Sequence, residues 1–385
     1  MKKRYFLPLL LAVILLTLSL SACQRQTASA ELDRDAWLQH IQEQRVLSAE
    51  IVSVDDHIME DGEGVETTVF TARLTDPQMN GQIVKGRMVV YSYMGYRAQP
   101  LKAGANIFLQ PALDEWEQPL GEFADYDRTL GVVALVVLFA VVLCLVGGRK
   151  GFRSLISLIV TCAGLAFIFI PMVLRGASPI GASLLICTLV TLVTLLVISG
   201  FNVKTVSSLI GIVVGLLIAG LLSVIFQSAM HLTGLVDNEA IRLTTMPGME
   251  GLSMNGLMFA AILIGSLGAC MDTAVSLASA LEELHAKSGL HGVEMVKSGM
   301  KIGRDTMGTM TNTLVLAYVG GSLHLVLLLA MDLSQLGYLI SWEILSTEVL
   351  RAMAGSIGLI AICPATAIVC ALLYRRKSGD ANPFS

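Results

Sequence analysis

Charge is scarce in this sequence. Only 15% of its 385 residues are charged and 54% are apolar, with a mean hydropathy of +0.71, whereas soluble domains carry about a quarter charged residues. A water-soluble core cannot hide that much apolar surface, but a bilayer can. The balance is mildly acidic, a formal net charge of -4, which argues against nucleic acid as a partner. No cysteine falls between residues 24 and 128: Cys23 ends the first apolar segment, and the other six lie in apolar runs. No disulfide framework is therefore expected there, and no Cys/His spacing resembles a metal site. Also missing are a phosphate-binding Gly-x-x-x-x-Gly-Lys-Ser/Thr loop, a dinucleotide fingerprint, His-Glu-x-x-His, Gly-x-Ser-x-Gly and paired intramembrane aspartates. No catalytic residue, cofactor or enzymatic activity is expected.

The charges that are present are unevenly placed. Residues 24–128 hold nine of the 26 Lys/Arg and eighteen of the 30 Asp/Glu. Before them, Lys2-Lys3-Arg4 precedes an apolar run from Tyr5 to Ala22, the pattern of a signal peptide or signal-anchor helix over 1–23. Leu20-Ser21-Ala22-Cys23 resembles a lipobox, so Cys23 is a candidate lipidation site, with an uncleaved anchor as the alternative. Residues 24–45 read as a linker and a short helix. The hydrophobic period then becomes two in Val46–Val54, Glu66–Thr75, Gln82–Tyr93 and Ala105–Pro111, separated by turn residues such as Asn80-Gly81. Four or five strands predict a small all-β domain, an OB-like barrel or sandwich. Asp55, Asp56, Glu60, Asp61 and Glu63 are expected in one solvated loop.

From Thr129 the composition changes abruptly. Seven segments reach the roughly 20 apolar residues that a spanning helix needs: 129–147, 154–174, 179–199, 205–229, 254–281, 307–331 and 349–373. With the N-terminus inside, fourteen Lys/Arg fall on cytoplasmic segments against three (Arg175, Arg242, Arg351) on short external ones, as the positive-inside rule requires. The predicted architecture is thus an α-helical polytopic membrane bundle of about seven helices over 129–377, a cytoplasmic tail over 378–385, and an extracytoplasmic linker and β domain over 24–128. Val293, Val296 and Met300 recur at helical spacing in 282–306, predicting an amphipathic helix on the inner membrane surface.

Asp272 is the most informative residue of the bundle. A carboxylate near mid-bilayer costs about 2.5–3.5 kcal/mol on insertion scales, so it is expected to face the bundle interior. Gly268, Ser276 and Ala280 share its helical face and allow close approach or leave room for water. The alternative is a protonated Asp that only locks two helices together. A second polar group opens the sixth segment at Thr309, Thr311, Asn312 and Thr313, with Asn312 at a depth compatible with contact to Asp272. The candidate substrate or ion site is therefore Asp272, Asn312, Ser276 and Thr311. Arg304 and Asp305 precede it at the interface, where Asp305 equally suits helix capping. Ser207, Gly211, Gly215 and Ala219 form a small-residue ridge that predicts a helix–helix seam. Gly320-Gly321 and Pro364 are candidate breaks.

Two stretches carry a resemblance: Leu267-Gly-Ala-Cys-Met-Asp272-Thr-Ala-Val-Ser276 through Glu282, and Ile302-Gly-Arg-Asp305-Thr-Met-Gly-Thr-Met-Thr-Asn312 through Tyr318. They resemble the signature of the YibE/YibF-like family of bacterial membrane proteins, and the architecture over residues 5–375 is similar. The resemblance implies a multi-pass protein of the bacterial cytoplasmic membrane and does not itself imply an activity. Three functional expectations follow. The first is a permease or ion-coupled transporter, with Asp272 as coupling or substrate site. The second is a non-transporting assembly or sensing protein whose external β domain binds a partner. The third is the membrane subunit of an ATP-driven complex, docking an ATPase on 282–306. The bilayer is the expected environment, with a second copy or another membrane protein as candidate partner.

Overall fold

The computed structural model describes residues 32–43, 45–60, 65–91, 100–249, 251–331 and 336–379. The signal segment with Cys23, the acidic residues Asp61 and Glu63, and the end of the tail lie outside them. Two compact units divide the chain, residues 1–138 and 139–385.

In the first unit, helix α1 (Arg34–Gln42) starts at Asp33, whose carboxylate accepts from the Asp35 and Ala36 amides, meeting the unpaired donors of the first turn. Five strands follow: β1 (Leu47–Glu60), β2 (Val65–Leu74), β3 (Ile83–Tyr91), β4 (Asn106–Leu113) and β5 (Pro119–Tyr126). They close into a barrel in the order β1-β2-β3-β5-β4, the OB-like expectation. Closure depends on β1: Leu47–Glu50 pair with β4, while Ala49–Glu60 pair with β2 across two register shifts, and such bulges sharpen strand bending. Every second residue of β2 from Thr68 on is buried. Gly86 of β3 leaves room for the buried Phe70 ring, which a Cβ there would meet at 2.4 Å.

Two expectations change here. Asp55, Asp56 and Glu60 belong to strand β1 and not to a loop, because the strand runs through its bulges to Glu60. And β5, absent from the period-two reading, completes the barrel by pairing parallel to β3 and antiparallel to β4.

Asp55 accepts hydrogen bonds from the Ser53 and Thr71 hydroxyls, both at 2.7 Å. These bonds, Ser53's foremost, hold its carboxyl below the ordinary value of 3.8. A depressed folded-state pKa contributes stability that is present above the unfolded value and is lost as pH falls through the folded one. The barrel should therefore weaken on acidification below about 3.8, and Asp55→Asn should flatten that response. Trp37 fluorescence, in the full chain with Trp116 and Trp342 changed to Phe, reads the transition; an unchanged acid response in the variant would remove Asp55 as its source.

The second unit is helical: α2 (Thr129–Arg149), within which the unit boundary falls, α3 (Gly151–Leu174), α4 (Pro179–Ser199), α5 (Val203–Ala229), the short α6 (Asn238–Thr244), α7 (Met254–Ser288), α8 (Gly292–Gly321), α9 (Leu323–Met331), α10 (Leu336–Ile340) and α11 (Glu343–Gly379). Gly148, at φ 53°, breaks the run between α2 and α3. By length and composition six helices suffice to cross a membrane, or up to seven if α8 and α9, bent by 71°, form one broken span. The bend follows Gly320-Gly321, whereas α11 runs through Pro364 without interruption. The bundle core gathers Ile212 and Leu216 of α5, Leu263 and Cys270 of α7, and Leu359 and Ile362 of α11. The ridge of Ser207, Gly211, Gly215 and Ala219 is fully buried, and its glycines face Thr366, Ile362 and Gly358 of α11.

The helix expected in 282–306 forms, but not as a separate element. α7 continues to Ser288, a turn capped by left-handed Gly289 follows, and α8 begins at Gly292. The packing explains it: Gly299 and Gly303 abut Ala367 and Cys363 of α11, and Met295 is fully buried. Small residues let this segment join the bundle, where exposed Val293 alone would have suggested a surface helix.

Candidate functional site

α7 is built with two faces. Its N-terminus is capped by the Ser253 hydroxyl, which accepts from the Gly256 amide at 3.1 Å. Ile262, Leu263, Cys270, Thr273, Ala274 and Leu277 are buried against the bundle. On the opposite face Gly265, Gly268, Asp272 and Ser276 stay open. The Asp272 carboxylate thus does not enter the packed core. It lines a cavity of about 390 Å³ whose walls include Ser154, Ser157 and Thr161 of α3, Cys187 of α4, and Gly265 and Gly268 of α7. Among the described residues Asp272 has no hydrogen-bond partner. The hydroxyls opposite are partly engaged: Ser157 donates to Thr194 at 3.0 Å, and Thr161 to the Ser157 carbonyl at 3.0 Å. Their oxygens retain acceptor capacity toward the cavity. A carboxylate and three hydroxyls lining one cavity suit a proton, a small cation or a polar group of a substrate.

The other candidate residues spread out around it. Ser276 lies one turn along the open face of α7 but does not line the cavity. Asn312 is exposed on α8, and no hydrogen bond joins it to Asp272. Thr311 turns inward, its hydroxyl buried without a partner. Arg304 and Asp305 are exposed; Asp305 lies well inside α8, whose N-cap position is His291, so it caps no helix. Together Arg304, Asp305, Thr309 and Asn312 form an open polar stripe on α8.

The sequence reading missed Ser154, Ser157 and Thr161, although their spacing of three and four within an apolar run was a readable sign of one polar helix face. It also missed a second polar cavity, of about 380 Å³, lined by Asp237, Tyr318, His324, Glu348 and Arg351. Arg351 donates to Glu348 at 2.9 Å, with both side chains about three-quarters covered (26% and 21% exposed). The loop carrying Asp237 is held to the head of α11 by Glu343, which accepts from the Gly234 amide at 2.7 Å. Asp237 itself accepts from the Ala240 amide at 2.7 Å, starting α6.

The fold and the site define a helical bundle with helices of membrane-spanning length, a carboxylate-bearing cavity and an appended five-stranded barrel. The chain belongs to the YibE/F-like protein family, whose model matches residues 135–376. No curated protein and no solved structure matches it. The matched region covers the helices from within α2 into α11 and leaves the barrel outside.

Proposed function

We propose that the chain is a multi-pass protein of the bacterial cytoplasmic membrane that works as an ion-coupled permease, with its barrel on the outer face and the cavity at Asp272 as coupling or substrate site. The family and the apolar helices fit a membrane protein. The observation that carries the transport reading is the cavity itself: it sets a carboxylate without a partner among the described residues together with Ser154, Ser157 and Thr161, within stretches 154–174 and 254–281 that carry no other charge. Ionisable groups in such segments are costly and are retained at ion and substrate paths.

The test replaces Asp272 with Cys in a background whose native cysteines are Ala or Ser, then applies a membrane-impermeant thiol reagent to intact cells and inverted vesicles. Labelling that a solute or a pH change alters is the expected result. A folded, inserted variant that labels from neither face would place Asp272 in a dry contact and sink the permease reading.

The open stripe of Arg304, Asp305, Thr309 and Asn312 favours a second reading, an assembling membrane protein. Polar side chains on an uncovered face of a spanning helix favour a partner helix. Under that reading Asp272 is dispensable, and exchange of the stripe for Leu disrupts the complex.

A further inference from the structure

Resting on the permease reading, we propose that the cavity of Asp237, Tyr318, His324, Glu348 and Arg351 is the second mouth of the Asp272 pathway, and that the ion passing between them is a proton.

The two cavities meet at one residue pair. Gly265 lines the Asp272 cavity, and a Cβ on Gly265 would lie 2.6 Å from the Tyr318 hydroxyl, which itself borders the second cavity. Tyr318 thus stands between the two spaces, touching the wall of one and lining the other. Seven residues along α7 separate Gly265 from Asp272, about 10 Å of helix rise, and the first cavity spans that length.

The chemistry of the pair points to water. The Tyr318 hydroxyl and Arg351 Nε are buried with no partner among the described residues. Buried polar atoms are otherwise almost always satisfied, by protein or by ordered water. Two orphaned groups beside a polar cavity are sites where water would complete their bonds. Such water would extend a hydrogen-bonded chain from the Glu348–Arg351 pair past Tyr318 to the Gly265 wall.

The identity of the ion follows from what surrounds Asp272. Alkali-cation sites in transporters draw on unwound backbone carbonyls, but α7 is one continuous helix from Met254 to Ser288, and α3 departs from α-helix only in a π-helical turn at Leu165–Phe169, without unwinding. Asp272 therefore offers one carboxylate and a few hydroxyls, too few oxygens to replace a hydration shell and enough to hold a proton. The groups along the route exchange protons: Asp237 in the loop before α6, Tyr318 on α8, His324 on α9 and Glu348 on α11, with Arg351 as the fixed positive charge and Cys187 of α4 on the far wall. In each transfer a proton from outside reaches the His324 imidazole or a carboxylate and passes through water to the Tyr318 oxygen. Tyr318 releases its own proton onward, and the Asp272 carboxylate becomes the neutral acid. Glycine at 265 lets Tyr318 approach this closely, since any side chain there would displace the hydroxyl.

The experiment uses a carbodiimide, which adds to protonated carboxyls, on the full-length chain in right-side-out and inverted membrane vesicles whose inner and outer pH are set independently. Adducts at Asp272 are quantified by peptide mass spectrometry. Expected is a several-fold fall in labelling as the pH rises on the side of the second cavity, and loss of that dependence in Tyr318→Phe, which keeps the ring and removes the hydroxyl. His324→Gln and Glu348→Gln repeat the test should Tyr318→Phe not fold. Labelling that follows only the pH of the opposite face, in wild type, would overturn the route while leaving Asp272 as a proton site. Adducts indifferent to pH on either side would overturn the proton, while the permease reading would still stand or fall on the thiol-labelling test. A fall that persists undiminished in all three variants would likewise overturn the route through Tyr318.

Discussion

Gly215→Leu should abolish the folded helical bundle. Gly215 of α5 and Gly358 of α11 approach so closely that each occupies the other's side-chain space. A Cβ on Gly215 would lie 2.4 Å from Ile362 Cγ1 and 2.8 Å from the Gly358 carbonyl oxygen, and a Cβ on Gly358 would lie 2.7 Å from the Gly215 carbonyl oxygen. The opposing atoms are partly backbone, so no rotamer change relieves the clash. Overpacking a relaxed site costs about 1–3 kcal/mol, and here two helices must separate along a seam that also includes Gly211 against Thr366. That seam carries close packing that lipid cannot replace. Thermal unfolding of the detergent-solubilised chain, followed by size-exclusion chromatography, should show aggregation or a sharply lowered midpoint. Leu217→Ala, two residues away at a side chain 53% exposed, should change little. Equal effects of the two substitutions would show that the seam is not what holds the bundle.

Trp37→Ala should open the barrel while sparing the helices. Trp37 is fully buried beneath α1, packed with Leu47, Phe70 and Leu109, and its indole Nε1 donates to the Ala112 carbonyl of β4 at 2.9 Å. Truncating a buried aromatic to Ala typically costs about 3–5 kcal/mol, a large share of a small domain's total stability of roughly 5–15 kcal/mol. Limited proteolysis of the full chain should cut residues 32–126 rapidly in the variant and leave the helical fragment. Trp37→Phe, which loses the hydrogen bond and part of the volume, should fall between. A barrel equally protected in Trp37→Ala would mean that α1 adds nothing to it.

These two sites differ in how far they could be read in advance. The ridge of Ser207, Gly211, Gly215 and Ala219 was legible because one helix face repeats every three to four residues, and a run of small residues at that spacing has few uses besides close packing. Its partner on α11 was not legible, since Gly358, Ile362 and Thr366 carry no matching signature. Asp272 stood out by its cost in an apolar segment, but which neighbours share its cavity was not legible from α7 alone. Leu263, Cys270, Ala274 and Leu277 occupy the buried face, and Gly265, Gly268 and Asp272 take the opposite, cavity-lining one. In the barrel, β1 to β4 announced themselves by alternation, whereas Pro119–Tyr126 joins through a parallel pairing with β3 that no local pattern encodes.

By itself the sequence determined the division into a polar, β-forming segment and a run of apolar helices, together with the family signature around Asp272 and Asn312. Those properties depend on composition and period over windows of ten to thirty residues, which the chain carries in one dimension. Tertiary structure alone decided that residues 292–306 extend α8, that β5 closes the barrel, and which groups share each cavity. The reason is physical: which face of a helix or edge of a strand is covered depends on residues far away in the chain. Ser154 stands near Asp272, and Glu348 near Asp237, only because the intervening helices pack as they do.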